Sequence, residues 1–225
     1  IGQLKKAPFS FVIPVLNEAE NIGHTLAILK SRFPNSETIV VDGGSSDGTN
    51  EIAKRDCDIF LESSPGRATQ MNLGASRAQG EVLFFLHADT VITDEGISSI
   101  SNINDDFRWG FFPVKLDQKS LCYSFLTFCI NLRSKLFNYC TGDQVLVIKK
   151  STFNEVNGFK EISLMEDIDI SNRLKKIFDP EILDGHAITS SRRWKKHGYL
   201  RTILLMRLIR LLFYLGVNTK ILAKI

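Results

Sequence analysis

The apolar positions in the first half of the chain form short runs separated by polar segments. A continuous apolar run of four to eight residues is typical of a strand covered on both faces. Between the runs, apolar residues recur at helical spacing, as at Ile22, Leu26 and Leu29. This alternation predicts an α/β fold, with a mainly parallel central sheet and helices on both faces. The predicted strands are residues 9–15, 37–41, 58–62 and 82–86.

The second half is less regular. Residues 107–116 predict one weakly alternating strand, and residues 121–137 predict a strongly apolar helix. A helix that opens at Met165 carries apolar residues as far as Ile177, and residues 191–196 read as a basic loop. Further strands are predicted at residues 145–148 and 184–190, and a final helix at residues 200–215. No internal repeat or low-complexity linker interrupts the 225 residues, so a single domain is expected.

Polar side chains follow three of the predicted strands. Asn17 and Glu18 follow the first, Asp42 ends the second, and Asp89 comes just after the strand at 82–86. The carboxyl ends of parallel strands meet at one edge, where ligands of such sheets bind. We therefore expect a shared ligand site there, with Gly43 allowing close approach of a ligand to the backbone.

Each candidate residue has a chemical role and a structural alternative. A carboxylate such as Asp89 binds a divalent cation together with phosphate oxygens, whereas it could instead cap a helix. Asp167, beside Glu166 at a helix start, is suited to act as a general base. Alternatively, its charge only interacts favourably with the helix dipole. Arg67 at a helix start is suited to bind an anion. Asp42 could have only a structural role in a turn.

Composition narrows the functional class. A net charge of +3 gives no support for a nucleic-acid partner. Four cysteines without a C-x-x-C pair, and an N-terminal segment without a signal-peptide core, predict a cytoplasmic protein with reduced thiols. The apolar helices at 121–137 and 200–215 carry arginines, so they fit the core, an anionic membrane surface or a homodimer contact.

Four segments in order resemble the family 2 glycosyltransferases of the GT-A fold. They are VIPVLNE at 12–18, VVDGGSSDGT at 40–49, HAD at 87–89 and the Glu166-Asp167 pair. Residues 66–75 and 190–198 further resemble the small single-domain transferases associated with arsenosugar biosynthesis or selenodomains. The resemblance implies an inverting transfer of sugar from a nucleotide-sugar donor, with a UDP-sugar favoured. It also implies Mn²⁺ or Mg²⁺ as cofactor and a small-molecule or lipid-linked acceptor.

The resemblance also assigns roles to particular residues. Asp167 would be the catalytic base, Asp89 the metal ligand, and Gly142, Asp143 and Glu166 would contact the acceptor. Residues 1–105 would form the nucleotide-binding half, 106–198 the acceptor-binding half, and 199–225 an apolar and basic C-terminal helix. The donor-binding residues would be Pro14, Asn17, Glu18, Asp42, Gly43, Arg67, Ala88, Arg193 and Trp194.

Two departures from the family pattern stand out. His87 occupies the first acidic position of the D-x-D motif, so one carboxylate would carry the metal, with His87 as an alternative second contact. Ser190 stands where the Q-x-x-R-W motif has glutamine, which argues against a processive polymer synthase. A nucleotidyltransferase of similar fold and a non-catalytic nucleotide-sugar binding module remain as alternative functions.

Overall fold

A seven-stranded central sheet organises the protein. The structure is a computed structural model that describes residues 9–224, except for the side chains of Ser101, Arg193, Lys196, His197 and Leu200. The strand order is β3-β2-β1-β4-β8-β6-β9. The bounds are β1 Phe9–Val15, β2 Glu37–Asp42, β3 Ile59–Glu62, β4 Val82–Phe85, β6 Trp109–Phe111, β8 Leu146–Lys149 and β9 Glu181–Ile182.

The central sheet is mainly parallel, which confirms the predicted fold class. β1 pairs in parallel with both β2 and β4, and β2 pairs in parallel with β3. Only β8 runs the other way in this sheet, between β4 and β6, and β9 is parallel to β6. Because β2 and β4 flank β1 on opposite sides, the order in which strands are added to the sheet reverses at β1. The carboxyl ends of β1 and β4 therefore form the switch point at which such sheets bind ligands.

Two apolar layers cover the faces of the sheet, which explains the continuous apolar runs. On one face, Phe11 and Phe84 pack in a cluster with residues of α1, Ala19–Arg32, and α2, Thr49–Asp56. On the other face, Val12 and Leu83 pack in a second cluster with α3, Arg67–Arg77. Alternate residues of one strand thus enter different layers, and no position along it needs to be polar.

The predicted single strand at 107–116 is wrong, because the segment divides between two sheets. After β6 the chain leaves the central sheet, and β7, Val114–Leu116, joins a small sheet of order β5-β10-β7. Pro113 lies at the division and has no N–H for a ladder hydrogen bond, so ending a strand there costs little free energy. In the small sheet, β10, Ala187–Thr189, pairs with both β7 and β5, Thr90–Ile92. The strand β5 was not predicted.

The helix α5, Leu121–Phe137, has the predicted bounds because both ends carry local signals. Ser120 accepts a hydrogen bond from Tyr123 N (3.1 Å), and Asn138 adopts a left-handed conformation with φ 52°. The remaining helices are α4 Asp94–Ser101, α6 Lys150–Glu155, α7 Glu166–Leu174, α8 Arg192–His197, α9 Tyr199–Tyr214 and α10 Thr219–Leu222. Within residues 9–224, no helix combines the length and apolar character that crossing a membrane requires.

Two helical expectations were wrong. The predicted basic loop at 191–196 is α8, whose Trp194 is buried and packs on Tyr199 with ring centroids 6.2 Å apart. The segment therefore buries an aromatic side chain, although its charges indicate a solvated loop. Ile177 lies beyond the end of α7 and is 49% exposed, so it does not belong to that helix's buried face.

Candidate active site

The turn after β2 is held together by Asp42 and Asn17. Asp42 is buried and accepts hydrogen bonds from Gly44 N (2.8 Å), Ser45 N (3.0 Å) and the Ser45 hydroxyl. Asn17, in a left-handed conformation, receives Ser46 N on its side-chain oxygen (2.9 Å). Both residues were predicted to bind the nucleotide-sugar donor. Their hydrogen bonds instead hold together the loops after β1 and β2. Neither they nor Gly43 are among the described residues that line the cavities below.

Gln70 is a site residue that the sequence analysis did not single out. Its buried Nε2 donates to Val15 O (2.9 Å) and to Val41 O (2.8 Å), and so joins the ends of β1 and β2 to α3. Gly43 fits beside it, since a Cβ there would lie 3.1 Å from the Gln70 side-chain oxygen. A polar residue between Ala68 and Met71 on a buried helix face was the available signal.

A polar cavity of about 410 Å³ opens at the carboxyl ends of β1 and β4, and we name it the donor-side cavity. It lies at the switch point described above, where the sequence predicted a ligand site. The predicted residues that line it are Pro14, Glu18, Arg67, Ala88, Asp89, Asp143 and Trp194.

Arg192 crosses the donor-side cavity and joins two of the predicted acids. Its Nη2 lies 3.0 Å from Glu18 Oε2 and 3.3 Å from Asp89 Oδ2. The sequence analysis assigned the neighbouring Arg193, whose side chain lies outside the described residues. Adjacent residues on a helix point in different directions, so only the α8 helix itself could distinguish the two arginines.

The residues around Asp89 would complete the coordination of a divalent cation only together with a ligand that supplies further oxygens. Across the described residues, no group of three or more His, Cys, Asp or Glu side chains is placed to hold a metal ion. The His87 ring accepts a hydrogen bond from Arg67 Nη2 on Nδ1 (3.3 Å), and this nitrogen lies 3.7 Å from Asp143 Oδ1. One carboxylate with phosphate oxygens and water is nevertheless an ordinary Mg²⁺ site. Such a site would require Arg192 to release Asp89.

A second cavity of about 430 Å³ lies between α5 and α9, and we name it the acceptor-side cavity. The predicted residues Gly142, Asp143, Glu166 and Asp167 all line it. Its other walls are mainly apolar side chains of the two helices. Arg67, Asp143 and Trp194 line both cavities, so the two spaces adjoin.

The two neighbouring acids at the start of α7 have different environments. Asp167 is half-buried, and its Oδ2 accepts from Gly142 N (2.8 Å) while Oδ1 accepts from Ile168 N (2.7 Å). Glu166 is 4% exposed and lies 3.7 Å from Arg67 Nη1. Burial and then the charge of Asp167 raise the pKa of Glu166, against the opposing effect of Arg67. Asp167 is thus an oriented carboxylate, whereas Glu166 is a buried partner of Arg67.

Comparison with protein families and curated proteins gives relatives of one kind. The model described as glycosyl transferase family 2 matches residues 10–103. Poly-beta-1,6-N-acetyl-D-glucosamine synthase of Staphylococcus epidermidis is 30% identical over 194 residues, 77% of this chain and 47% of that protein. Glycosyltransferase AglE of Haloferax volcanii is 37% identical over 118 residues, 46% of this chain and 39% of that protein. The chain spans about half the length, or less, of these curated relatives.

Solved structures share the fold at low sequence identity. Mannosyltransferase PcManGT from Pyrobaculum calidifontis, in complex with GDP-Man and Mn²⁺, superposes with a TM-score of 0.63 at 17% identity. That likeness covers 82% of this chain and 57% of that one. S. aureus TarS 1-349 in complex with UDP-GlcNAc gives a TM-score of 0.58 at 16% identity, over 81% of this chain and 58% of that one. These matches confirm the resemblance drawn from the motifs: the chain has the GT-A fold, and its residues 10–103 match the family 2 glycosyltransferases.

Proposed function

We propose that this protein transfers a sugar from a nucleotide-diphosphate sugar to an acceptor hydroxyl, with inversion at the anomeric carbon. One observation carries the proposal. The donor-side cavity, with Asp89, and the acceptor-side cavity, with Asp167, adjoin at Arg67, Asp143 and Trp194. A single displacement needs the leaving group and the attacking oxygen on opposite faces of one carbon. Two adjoining cavities with separate carboxylates suit that requirement.

We propose a UDP-sugar as the first donor to test. The TarS structure named above contains UDP-GlcNAc, whereas the PcManGT structure contains GDP-Man, so the fold itself accepts different nucleotides. In this chain the diphosphate would lie near Arg67 and Arg192, whose guanidinium groups suit phosphate oxygens. Glu18 and the ends of β1 and β2 would face the nucleoside.

Asp89 is the residue we propose as ligand for Mn²⁺ or Mg²⁺, shared with the diphosphate of the donor. When bound, the ion would supply positive charge to the leaving diphosphate. The protein itself would contribute an exchange of ion-pair partners at Arg192 and Asp89. Arg192, which pairs with Glu18 and Asp89 here, would turn to the diphosphate as Asp89 takes up the cation.

Asp167 is the general base in this proposal. The acceptor oxygen bonds to the anomeric carbon while the bond from that carbon to the diphosphate breaks and its electron pair leaves with the nucleotide. The acceptor proton passes to Asp167. The hydrogen bonds from Gly142 N and Ile168 N support this role, because they hold the carboxylate in one orientation.

We further propose that the outer faces of α5 and α9 contact an anionic membrane surface. Both faces expose large apolar side chains, such as Phe128 (61% exposed) and Leu204 (66%), and α9 adds the exposed Arg201 and Arg207. Apolar and basic residues together favour an anionic lipid interface. Sedimentation with phosphatidylglycerol vesicles should recover the protein, whereas phosphatidylcholine vesicles should not. Dimerisation without vesicle binding would contradict this proposal.

The function can be tested by a thermal-shift screen of nucleotide sugars with Mn²⁺, followed by measurement of nucleoside diphosphate release. The protein should be stabilised most by one donor class with Mn²⁺. Asp89→Asn should lose the Mn²⁺-dependent part, and Asp106→Asn, at an exposed aspartate, should keep it. No response to any nucleoside diphosphate sugar would contradict the proposal. Pyrophosphate release from a nucleoside triphosphate and a sugar phosphate would instead indicate a nucleotidyltransferase.

A further inference from the structure

Two arginines enter the acceptor-side cavity from opposite helices. Arg133 of α5 and Arg210 of α9 both line it. Both guanidinium groups lie over the ring of Tyr139, at 5.0 Å and 5.9 Å from its centroid. The buried Tyr139 therefore brings two positive charges towards one point of the wall.

These two charges lack a close counter-charge among the described residues. The Nε atoms of Arg133 and Arg210 are buried and have no hydrogen-bond partner there, and neither side chain forms an ion pair within that part of the chain. Burial, and then the charge of Arg210, lower the pKa of the Arg133 guanidinium, against the opposing effects of Tyr139 and of Asp167, which is not within ion-pair distance. Cation–π contacts offset only part of the cost of placing like charges together away from water. An anion between them would supply the missing partner.

The rest of the cavity suits an apolar chain. Leu126 and Ile130 of α5 face Ile203 and Met206 of α9 across it. Phe125 lines the cavity and is also 64% exposed, so the apolar lining continues to the outer surface of α5. A ligand with an apolar chain could therefore leave the cavity along this helix without exposing that chain fully to water.

We propose that the acceptor-side cavity binds an amphiphile that carries a phosphate group and an apolar chain. The phosphate lies between Arg133 and Arg210, and the chain lies between α5 and α9. Phosphate is favoured because its several oxygens and its charge match two guanidinium forks. No bond is made or broken at the two arginines, which are positioning residues. The ligand's role as acceptor rests on the proposed function, with its reacting hydroxyl towards Asp167; its binding does not.

The test is isothermal titration calorimetry without donor or metal ion, using octyl phosphate, 1-octanol and inorganic phosphate as probes. Octyl phosphate should bind at least about tenfold more tightly than either of the other two. Equal binding of inorganic phosphate would overturn the role of the apolar chain. Equal binding of 1-octanol would overturn the role of the phosphate. Because neither donor nor metal ion is present, failure of the proposed transfer reaction would leave this result unchanged.

Matched variants locate the site. Arg133→Leu and Arg210→Leu should each weaken octyl phosphate binding by about tenfold and leave 1-octanol binding unchanged. Arg77→Leu, at an exposed position of α3 outside both cavities, should have no effect on either. Arg133→Lys, which keeps the charge but loses the fork, provides a second variant if the leucine variant does not fold. Unchanged octyl phosphate binding in the arginine variants would overturn the proposal.

Vesicles separate a membrane lipid from a dispersed amphiphile as the source of the phosphate. Phosphatidic acid in phosphatidylcholine vesicles presents the same phosphate on a bilayer. Sedimentation that depends on Arg133 and Arg210, but not on Arg77, would assign the ligand to the membrane. If neither vesicle binding nor octyl phosphate binding depends on the two arginines, the proposal is wrong.

Discussion

The donor-side and acceptor-side cavities are nearly equal in size, at about 410 and 430 Å³, but they are built differently. The donor-side cavity lies at strand ends, and its charged residues are paired, as Arg192 is with Glu18 and Asp89. The acceptor-side cavity lies between two helices, and the buried Nε atoms of its Arg133 and Arg210 have no hydrogen-bond partner within the described part of the chain. The ends of paired strands thus form the donor-side cavity, and the packed side chains of two helices form the acceptor-side cavity.

The match to the family model covers the two cavities unequally. The family model ends at residue 103, which is after β4 and before α5 begins. The donor-side cavity draws on that matched segment, whereas the helices of the acceptor-side cavity lie outside it. The ligand of the acceptor-side cavity must therefore be identified mainly from this chain's own residues.

The largest expected effect comes from Asp167→Asn, which tests whether the two cavities serve one reaction. Loss of the base should lower the transfer rate by about 100- to 10,000-fold. Donor affinity, measured by calorimetry, should stay the same because Asp167 does not line the donor-side cavity. Asp169→Asn, at an acid of the same helix that pairs with Arg173, provides the control. Full activity of Asp167→Asn would show that the base assignment is wrong.

Gln70→Ala tests whether α3 holds the strand ends of the donor-side cavity. The variant removes two buried hydrogen bonds to Val15 O and Val41 O, and we expect it to lower the free energy of unfolding by about 1–3 kcal/mol. Urea denaturation measures the change. Gln79→Ala, at an exposed position, should change stability by less than about 0.5 kcal/mol. Equal effects of the two variants would contradict the structural role of Gln70.

Arg192→Gln tests the pairing of charges in the donor-side cavity. Without the guanidinium, Asp89 and Glu18 should bind Mn²⁺ more tightly in the absence of nucleotide. We expect about a fivefold gain, because the Arg192 side chain is half-exposed and its ion pairs are screened by solvent. Titration followed by the electron paramagnetic resonance of free Mn²⁺ measures it. Lys195→Gln makes the same change in net charge, and an equal gain there would show only a general charge effect.

Glu166→Gln gives the smallest expected effect, which depends on pH. Folding raises the pKa of Glu166, so the native state holds the proton more tightly than the unfolded chain does. This residue therefore supports the fold at acid pH, and its contribution falls as the pH rises from the ordinary glutamate value through the raised one. The melting temperature of Glu166→Gln relative to the unmodified protein should rise between pH 4.5 and 8.

Surface charge alone must be separated from that effect. Glu155→Gln removes one negative charge from an exposed position on α6, and it corrects for the change in net charge. A melting difference for Glu166→Gln that falls with pH would contradict the raised pKa. It would then weaken the distinction between a buried Glu166 and an oriented Asp167.

The sequence predicted part of the donor side for a physical reason. Continuous apolar runs identify buried parallel strands, and residues that follow such strands share one edge; Glu18 and Asp89 meet there as expected. Asp42 and Asn17 were placed at the same edge, but their polar atoms are engaged by the loops. Motif position predicts that a residue is near a site, but it does not predict which hydrogen bonds its side chain makes.

The sequence by itself determined the α/β sheet and the bounds of α5, and it placed Asp89 after a strand and Asp167 at a helix start, because these depend on local periodicity, capping residues and strand ends. Only the tertiary structure decided that 107–116 divides between two sheets, that 191–196 is helical, and that Arg192 reaches Glu18 and Asp89. It also brought Arg133 and Arg210 together over Tyr139. Contacts between residues far apart in the chain depend on packing, and no local pattern in a single sequence encodes them.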